Sequence, residues 1–174
     1  MKLNIGSGGL KIPGYTSVDK YHPGADVKRD AADTGFGFET IDYIFTSHMI
    51  EHLEPDHFDK TLEHWHQILK PTGHLEILCP NARIYIEEWL ERHNSQDWDH
   101  LLVWGNRNLL GWSGKGQGMY NRNLFTTEIL REKLTRKFFI VAECKEVVTR
   151  VKDRNHIEFR VNGDIRCLAR KHVL

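Results

Sequence analysis

"IDYIFTSHMIEHLEP", residues 41–55, is the stretch on which the fold turns. Its first seven residues are almost continuously apolar, β-branched or aromatic, as expected for a strand buried on both faces. The next eight allow two readings. His48-Met49-Ile50-Glu51-His52 matches the H-x-x-E-H pattern of inverted zinc peptidases. The same letters fit a strand that ends at Ser47 and a short loop that turns into a helix. Zinc would need both histidines one turn apart inside a stable helix, with a downstream acid as third ligand. Pro55 lies three residues past His52 and suits the first position of a helix instead. The strand-to-helix junction is therefore preferred, and no metal is expected. On this reading Glu51 and His52 pack and cap the turn. His48, directly after the strand, faces a pocket, where an imidazole could serve as general base toward a hydroxyl.

Working outward, "LNI" (3–5) is a short apolar run stopped by "GSGG", a strand feeding a glycine loop. "YTSVD" (15–19) reads as a second strand with an acid at its end, and "ADVKRDA" (25–31) alternates as a third. Downstream of Pro55, Phe58, Leu62, Trp65 and Leu69 recur at helical spacing, which leaves His64 and His66 toward solvent. Lys70-Pro71-Thr72-Gly73 ends that helix, "HLEILCP" (74–80) is a fifth strand, and a helix follows over 82–93. Short strands alternating with helices predict a parallel α/β sheet.

Residues 94–124 change character. They hold Trp98, Trp104 and Trp112 with "GWSGKGQGMYNRN", a composition that suits a lid or acceptor-binding segment. "TTEILREKLTRKFF" (126–139) is predicted helical, with Thr126 as N-cap and Ile129, Leu130, Leu134 and Phe138 inward. "FIVAECKEVVTRV" and "HIEFRVNGDIRCLARK" read as strands, with Asn162-Gly163 favouring a hairpin turn between or beside them.

With 174 residues, one domain spanning 1–174 is expected. Apolar residues make up 40% and charged residues 28%, and the formal net charge is zero. A whole-molecule basic field for gripping nucleic acid is therefore absent, and a nucleic-acid partner is not expected. No apolar run approaches the ~18 residues of a membrane span, and no signal-peptide pattern opens the chain. Cys79, Cys144 and Cys167 are odd in number and far apart in sequence, so they read as reduced thiols of a cytoplasmic protein.

The glycine loop becomes informative through its distance from the next acid. Only eleven positions separate Gly8 from Asp19, and they include Pro13-Gly14. A dinucleotide site would want G-x-G-x-x-G, a full helix and an acid roughly 20 residues on. A phosphate-free cofactor needs no helix end beneath a pyrophosphate. S-adenosylmethionine is such a cofactor. The glycine turn can offer amides to its carboxylate, Asp19 can take the ribose hydroxyls, and Asp30 with the Ala31 amide can read the adenine.

"LNIGSGG", "SVD", "RDAAD", "FETIDYIFTSHMIEHL" and "FDKTLEHWHQILKPTGHLEILCPN" together resemble the class I S-adenosylmethionine-dependent methyltransferases, in their small single-domain form. The resemblance covers residues 2–81 well. It implies a three-layer α/β sandwich with a Rossmann-like, mostly parallel sheet and an antiparallel strand near the C-terminus. It places Gly6, Ser7 and Gly8 on the methionine part, Asp19 on the ribose, Asp30 and Ala31 by the adenine, and Ser47 and His48 at the methyl-transfer end. Asn4 stands where the family usually has an acid, and the first crossover helix is nearly missing. The acceptor lid must then come from 94–124. Gly8, Asp19, Asp30, His48 and Asn81 should share the carboxyl edge of the sheet. The implied activity is methyl transfer to a small-molecule or sugar-like acceptor. Two alternatives remain: a cofactor-binding module that lacks independent catalysis, working as a homodimer or with a partner chain, and, less favoured, a zinc hydrolase.

Overall fold

In the computed structural model, which describes residues 1–94, 96, 109–110, 120–152 and 158–172, six strands form one mixed sheet. They are β1 (Lys2–Ile5), β2 (Thr16–Val18), β3 (Ile41–Ser47), β4 (Leu69–Pro80), β5 (Phe139–Lys152) and β6 (Glu158–Lys171). Among the described residues the longer helices are α1 (Pro55–Ile68), α2 (Ala82–Asn94) and α3 (Thr127–Arg136). The strand order is β2-β1-β3-β4-β6-β5. The first four strands pair in parallel, and β6 runs antiparallel to both β4 and β5. This is the Rossmann-like, mostly parallel α/β sheet expected from the sequence, with its antiparallel strand near the C-terminus.

The carboxyl ends of β1, β2, β3 and β4 lie on one edge, and β6 brings Asp164 there opposite Pro80. The core beneath is one apolar cluster running from Leu3, Ile44 and Ile77 to Trp65, Leu134 and Ala169. In α1, Pro55 fixes the first turn and Asp56 complements the helix dipole. Its Phe58, Leu62, Trp65 and Ile68 form the buried stripe. Trp65 is wholly buried, and its indole N–H donates to the Ala31 carbonyl (2.9 Å), so the ring meets no desolvation penalty. Ion pairs from Lys133 and Lys137 to Asp59 set α3 beside α1.

Several elements depart from the sequence reading. The third strand shrinks to one parallel bridge, Val18 with Val27, and a bridge between Asp30 and Asp33. Asp26 explains this: its carboxylate accepts from the Ser17 amide and hydroxyl, replacing ladder bonds with side-chain ones. Residues 70–73 do not simply terminate α1. They belong to β4, whose register against β3 jumps from Ile41↔Leu69 to Tyr43↔His74, a bulge. A Cβ on Gly73 would lie 2.8 Å from Leu69 Cδ2 and 3.1 Å from the Ile41 carbonyl oxygen, which accounts for the glycine.

Thr126 caps α3 through Ile129 N–H, and Leu130 and Leu134 face inward as expected. Ile129 and Phe138 do not. They are 42% and 53% exposed, because the helix ends at Arg136 and Phe138 turns left-handed (φ 64°), handing the core position to Phe139. Asn162-Gly163 is not a turn either. Both lie within β6, opposite Thr149 and Val148. Gly163 is there for close packing, since a Cβ would sit 2.5 Å from Ile84 Cγ2 of α2. His64 and His66 are half-buried rather than solvated: His64 bonds Thr34, and His66 bonds the His172 carbonyl. No helix among the described residues is long and apolar enough to cross a membrane.

Candidate functional site

The glycine turn leaves β1 at Ile5 and runs back over the end of β2. Gly6 N–H and Ser7 N–H both donate to the Val18 carbonyl, and Leu10 N–H closes the turn on Ser7. Gly6 (φ +71°) is obligatory, because a Cβ would lie 2.2 Å from Met49 Cγ. Gly8 (φ +51°) has open space beside its α-carbon, so a ligand can approach the backbone there. Asn4 is buried, and its side-chain amide donates to the Leu10 carbonyl (3.0 Å), holding the far end of the turn. Ser7 is buried too, and its hydroxyl has no partner.

Asp19 follows β2. Its Oδ2 accepts from Gly8 N–H, and its Oδ1 accepts from Tyr21 N–H and His22 N–H, each at 2.8 Å. Burial pushes its pKa up, but the His22, Gly8 and Tyr21 amides outweigh that, so the carboxyl lies below the ordinary range. Oδ1 is saturated by two donors, whereas Oδ2 keeps one acceptor direction. Asp30 is more heavily engaged. Ala32 N–H and His57 meet its Oδ1 (2.9 and 2.7 Å), and Lys20 meets Oδ2 at 3.0 Å. Asp33, its near neighbour, is exposed and faces Arg29. Ala31 is half-buried, with its carbonyl given to Trp65.

Beyond half-buried Ser47, His48 takes a left-handed backbone (φ 50°), and Ile50–His52 form a 3-10 turn. His48 and His52 therefore do not share an α-helical face, as the zinc reading required. His48 Nε2 lies 3.3 Å from Asp164 Oδ2, and Nδ1 lies 3.6 Å from Glu51 Oε1. The Asp164 hydrogen bond raises the His48 pKa against the effect of burial, with Glu51 adding to the rise. Glu51, expected as a packing and capping residue, is only 2% exposed, and its carboxylate bonds its own backbone amide. Desolvation lifts its pKa to about 7, and its Oε2 lacks a hydrogen-bond partner, as does Asp164 Oδ1. Asn81 is fully buried nearby, donating to Glu146 and accepting from Arg83 N–H.

Trp98, Trp104 and Trp112, expected in a lid, lie outside the described residues. The end of that stretch is docked on the site. Arg122 and Asn123 amides donate to the Glu51 carbonyl, Asn123 Nδ2 donates to the Leu53 carbonyl, Tyr120 offers its carbonyl to His52, and Arg122 pairs with Glu54.

The structure thus gathers Gly6, Ser7, Gly8, Asp19, Ser47, His48 and Asn81 on one edge. Sequence reasoning misses two residues of this site. Glu51 sits in a motif read as structural, and Asp164 lies more than a hundred residues from His48. Its signal is a single acid within an otherwise strand-like "VNGDIRC".

The family model described as "Methyltransferase domain" matches residues 10–116, more than half of the chain. The chain belongs to this methyltransferase family. Solved structures agree in fold. A SAM-dependent methyltransferase from Methanosarcina mazei superposes with a TM-score of 0.63 at 16% identity, over 99% of this chain and 92% of the other. A chain from the Haloferax volcanii complex of the Trm112 methyltransferase activator gives 0.65 at 14%, over 99% and 82%. The Burkholderia thailandensis 1,6-didemethyltoxoflavin-N1-methyltransferase, with 1,6-didemethyltoxoflavin and S-adenosylhomocysteine bound, gives 0.58 at 17%, over 99% and 71%. No curated protein matches by sequence. In this chain the glycine turn and Asp19 are tied together despite the reduced third strand.

Proposed function

We propose that the chain transfers the methyl group of S-adenosylmethionine to a small-molecule or sugar-like acceptor, in the cytoplasm and as a single domain. The observation that carries this is the bond from Gly8 N–H to Asp19 Oδ2, which ties the glycine turn to an ionised acid at the carboxyl edge of the sheet. The residues fit the cofactor. Ser7 has an unpartnered hydroxyl, Gly8 has space beside it, and Asp19 retains an acceptor direction. Gly6, Ser7 and Gly8 would face the amino-acid end, Asp19 the ribose, and Asp30 with Ala31 the adenine. Asp30 would share its carboxylate with Lys20 and His57. When bound, the cofactor supplies an electrophilic methyl on sulfonium.

The chain's own part is alignment and proton handling. Exposed His48 stands over buried Glu51 and Asp164 in an array in which the pKa values of His48 and Glu51 are both raised, that of Glu51 to about 7. Such an array can take the proton released by a hydroxyl or amine nucleophile as it is methylated. His48 is the candidate catalytic base, with Asp164 orienting it. The docked 120–123 segment covers the Glu51 backbone and helps exclude water.

Calorimetry with S-adenosylmethionine and S-adenosylhomocysteine tests the reading. Micromolar binding weakened at least tenfold by Asp19→Ala is expected, in line with the roughly 1.5–3 kcal/mol of a hydrogen bond to a charged group. Equal, weak binding by both proteins would refute the site.

A partner-dependent module is the second reading. The three-residue edge strand β2 favours it, because only Val27 bridges its outer side among the described residues. The Haloferax volcanii neighbour, solved with an activator protein, gives that reading a precedent in fold. Cofactor binding without methyl transfer to a broad acceptor panel would support it.

A further inference from the structure

Away from this edge, Cys144 on β5 and Cys167 on β6 are directly opposed in the antiparallel ladder. Opposed residues in such a ladder stand about 4.5–5.5 Å apart at Cα, inside the roughly 4.4–6.8 Å that a disulfide spans. Both thiols are free, and they differ in access. Cys167 is buried. Cys144 is half-buried and lines an open groove with Thr127, Glu128, Arg131, Glu132 and Arg136, all from α3.

We propose that Cys144 and Cys167 form a thiol modification site for low-molecular-weight disulfides such as oxidised glutathione, with Cys144 attacking and Cys167 resolving. The Cys144 thiolate attacks one sulfur of R–S–S–R, and R–S⁻ leaves and takes a proton. The Cys167 thiol then gives up its proton and attacks the Cys144 sulfur, expelling the second R–SH. Two protein thiols are oxidised to one disulfide, and the small disulfide is reduced to two thiols.

The division of roles follows from the surroundings. The Cys144 S–H donates to the Thr127 carbonyl (3.5 Å), and the interaction between the two neighbouring thiols lowers the Cys144 pKa and raises that of Cys167. Burial opposes the lowering at Cys144, Arg131 assists it, and Glu128 works against it. Once Cys144 carries a mixed disulfide, that sulfur no longer holds the charge that kept Cys167 protonated. The resulting staple would fix β6 three residues from Asp164 and link the groove's redox state to the proposed acceptor end.

In the reduced full-length protein, iodoacetamide should alkylate Cys144 at least tenfold faster than Cys79 or Cys167, read by peptide mass spectrometry. With oxidised glutathione the wild type should yield a Cys144–Cys167 disulfide, and Cys167→Ser should trap one glutathione on Cys144. Cys144→Ser should leave Cys79 and Cys167 unmodified. Cysteine reactivity that appears only in step with unfolding, or a Cys167→Ser protein that fails to trap glutathione on Cys144, would overturn the proposal. The alkylation rates need no variant, so the test survives if a substitution disturbs folding.

Discussion

Gly6 and Glu51 show how much of this molecule is decided by single residues. A methyl group at Gly6 would collide with Met49 and also force an L-residue into a left-handed conformation. The conformational cost is about 1–2 kcal/mol and the overpacking about 1–3. Gly6→Ala should therefore lose about 2–5 kcal/mol in urea unfolding. Glu51 makes a different kind of prediction. Its pKa is raised from 4.5 to about 7 in the folded chain, with His48 opposing and Asp164 adding to the rise. Between those two values the folded state holds a proton that the unfolded state has released. Stability must therefore fall as pH climbs through that window, and nothing is lost below it. Glu51→Gln does not titrate. Relative to wild type it should gain on the order of 2 kcal/mol between about pH 5 and pH 8. Parallel stability-versus-pH curves would show that Glu51 is not desolvated as described.

Among the elements, the contact between α2 and β6 is the most exposed to test. Gly163→Ala drives a Cβ into Ile84, and the cost should be about 1–3 kcal/mol. Shortening the neighbour in an Ile84→Ala, Gly163→Ala double variant should return part of that, giving a measurable coupling in a double-mutant cycle. A purely additive cycle would mean the two positions do not touch. Elements are legible in the sequence wherever local pattern and tertiary context agree. The β3 run, the α1 stripe, Pro55 and the Thr126 cap all signal their structure within a few residues. Illegible elements depend on distant partners. The Val27 segment loses its ladder to Asp26, Asn162-Gly163 is claimed by α2, and Phe138 yields the core to Phe139. The candidate site divides in the same way. Its glycine turn and Asp19 are close in sequence and can be read directly. The Glu51–His48–Asp164 array needs β6 to return antiparallel beside β4, which no local pattern announces.

At the scale of the whole molecule, charge balance dominates. Twenty-four basic and twenty-four acidic residues cancel, and eleven histidines stand ready to add positive charge as pH falls. Near-zero net charge promotes association, so solubility should pass through a minimum near neutral pH. The polyethylene glycol concentration that precipitates the protein should be clearly lower near its isoelectric point, about 7.2, than at about pH 5.5, where the net charge is positive. A flat profile would mean that specific surface contacts, rather than net charge, govern association.

Asn4 carries one more consequence. Its amide nitrogen donates a hydrogen bond to the Leu10 carbonyl at the far side of the glycine turn. An ionised aspartate has no hydrogen to give, and it would meet that oxygen lone pair to lone pair. An acid at this place would thus reverse the polarity of the clasp. In this chain the neutral residue keeps the turn shut whatever the surrounding acidity.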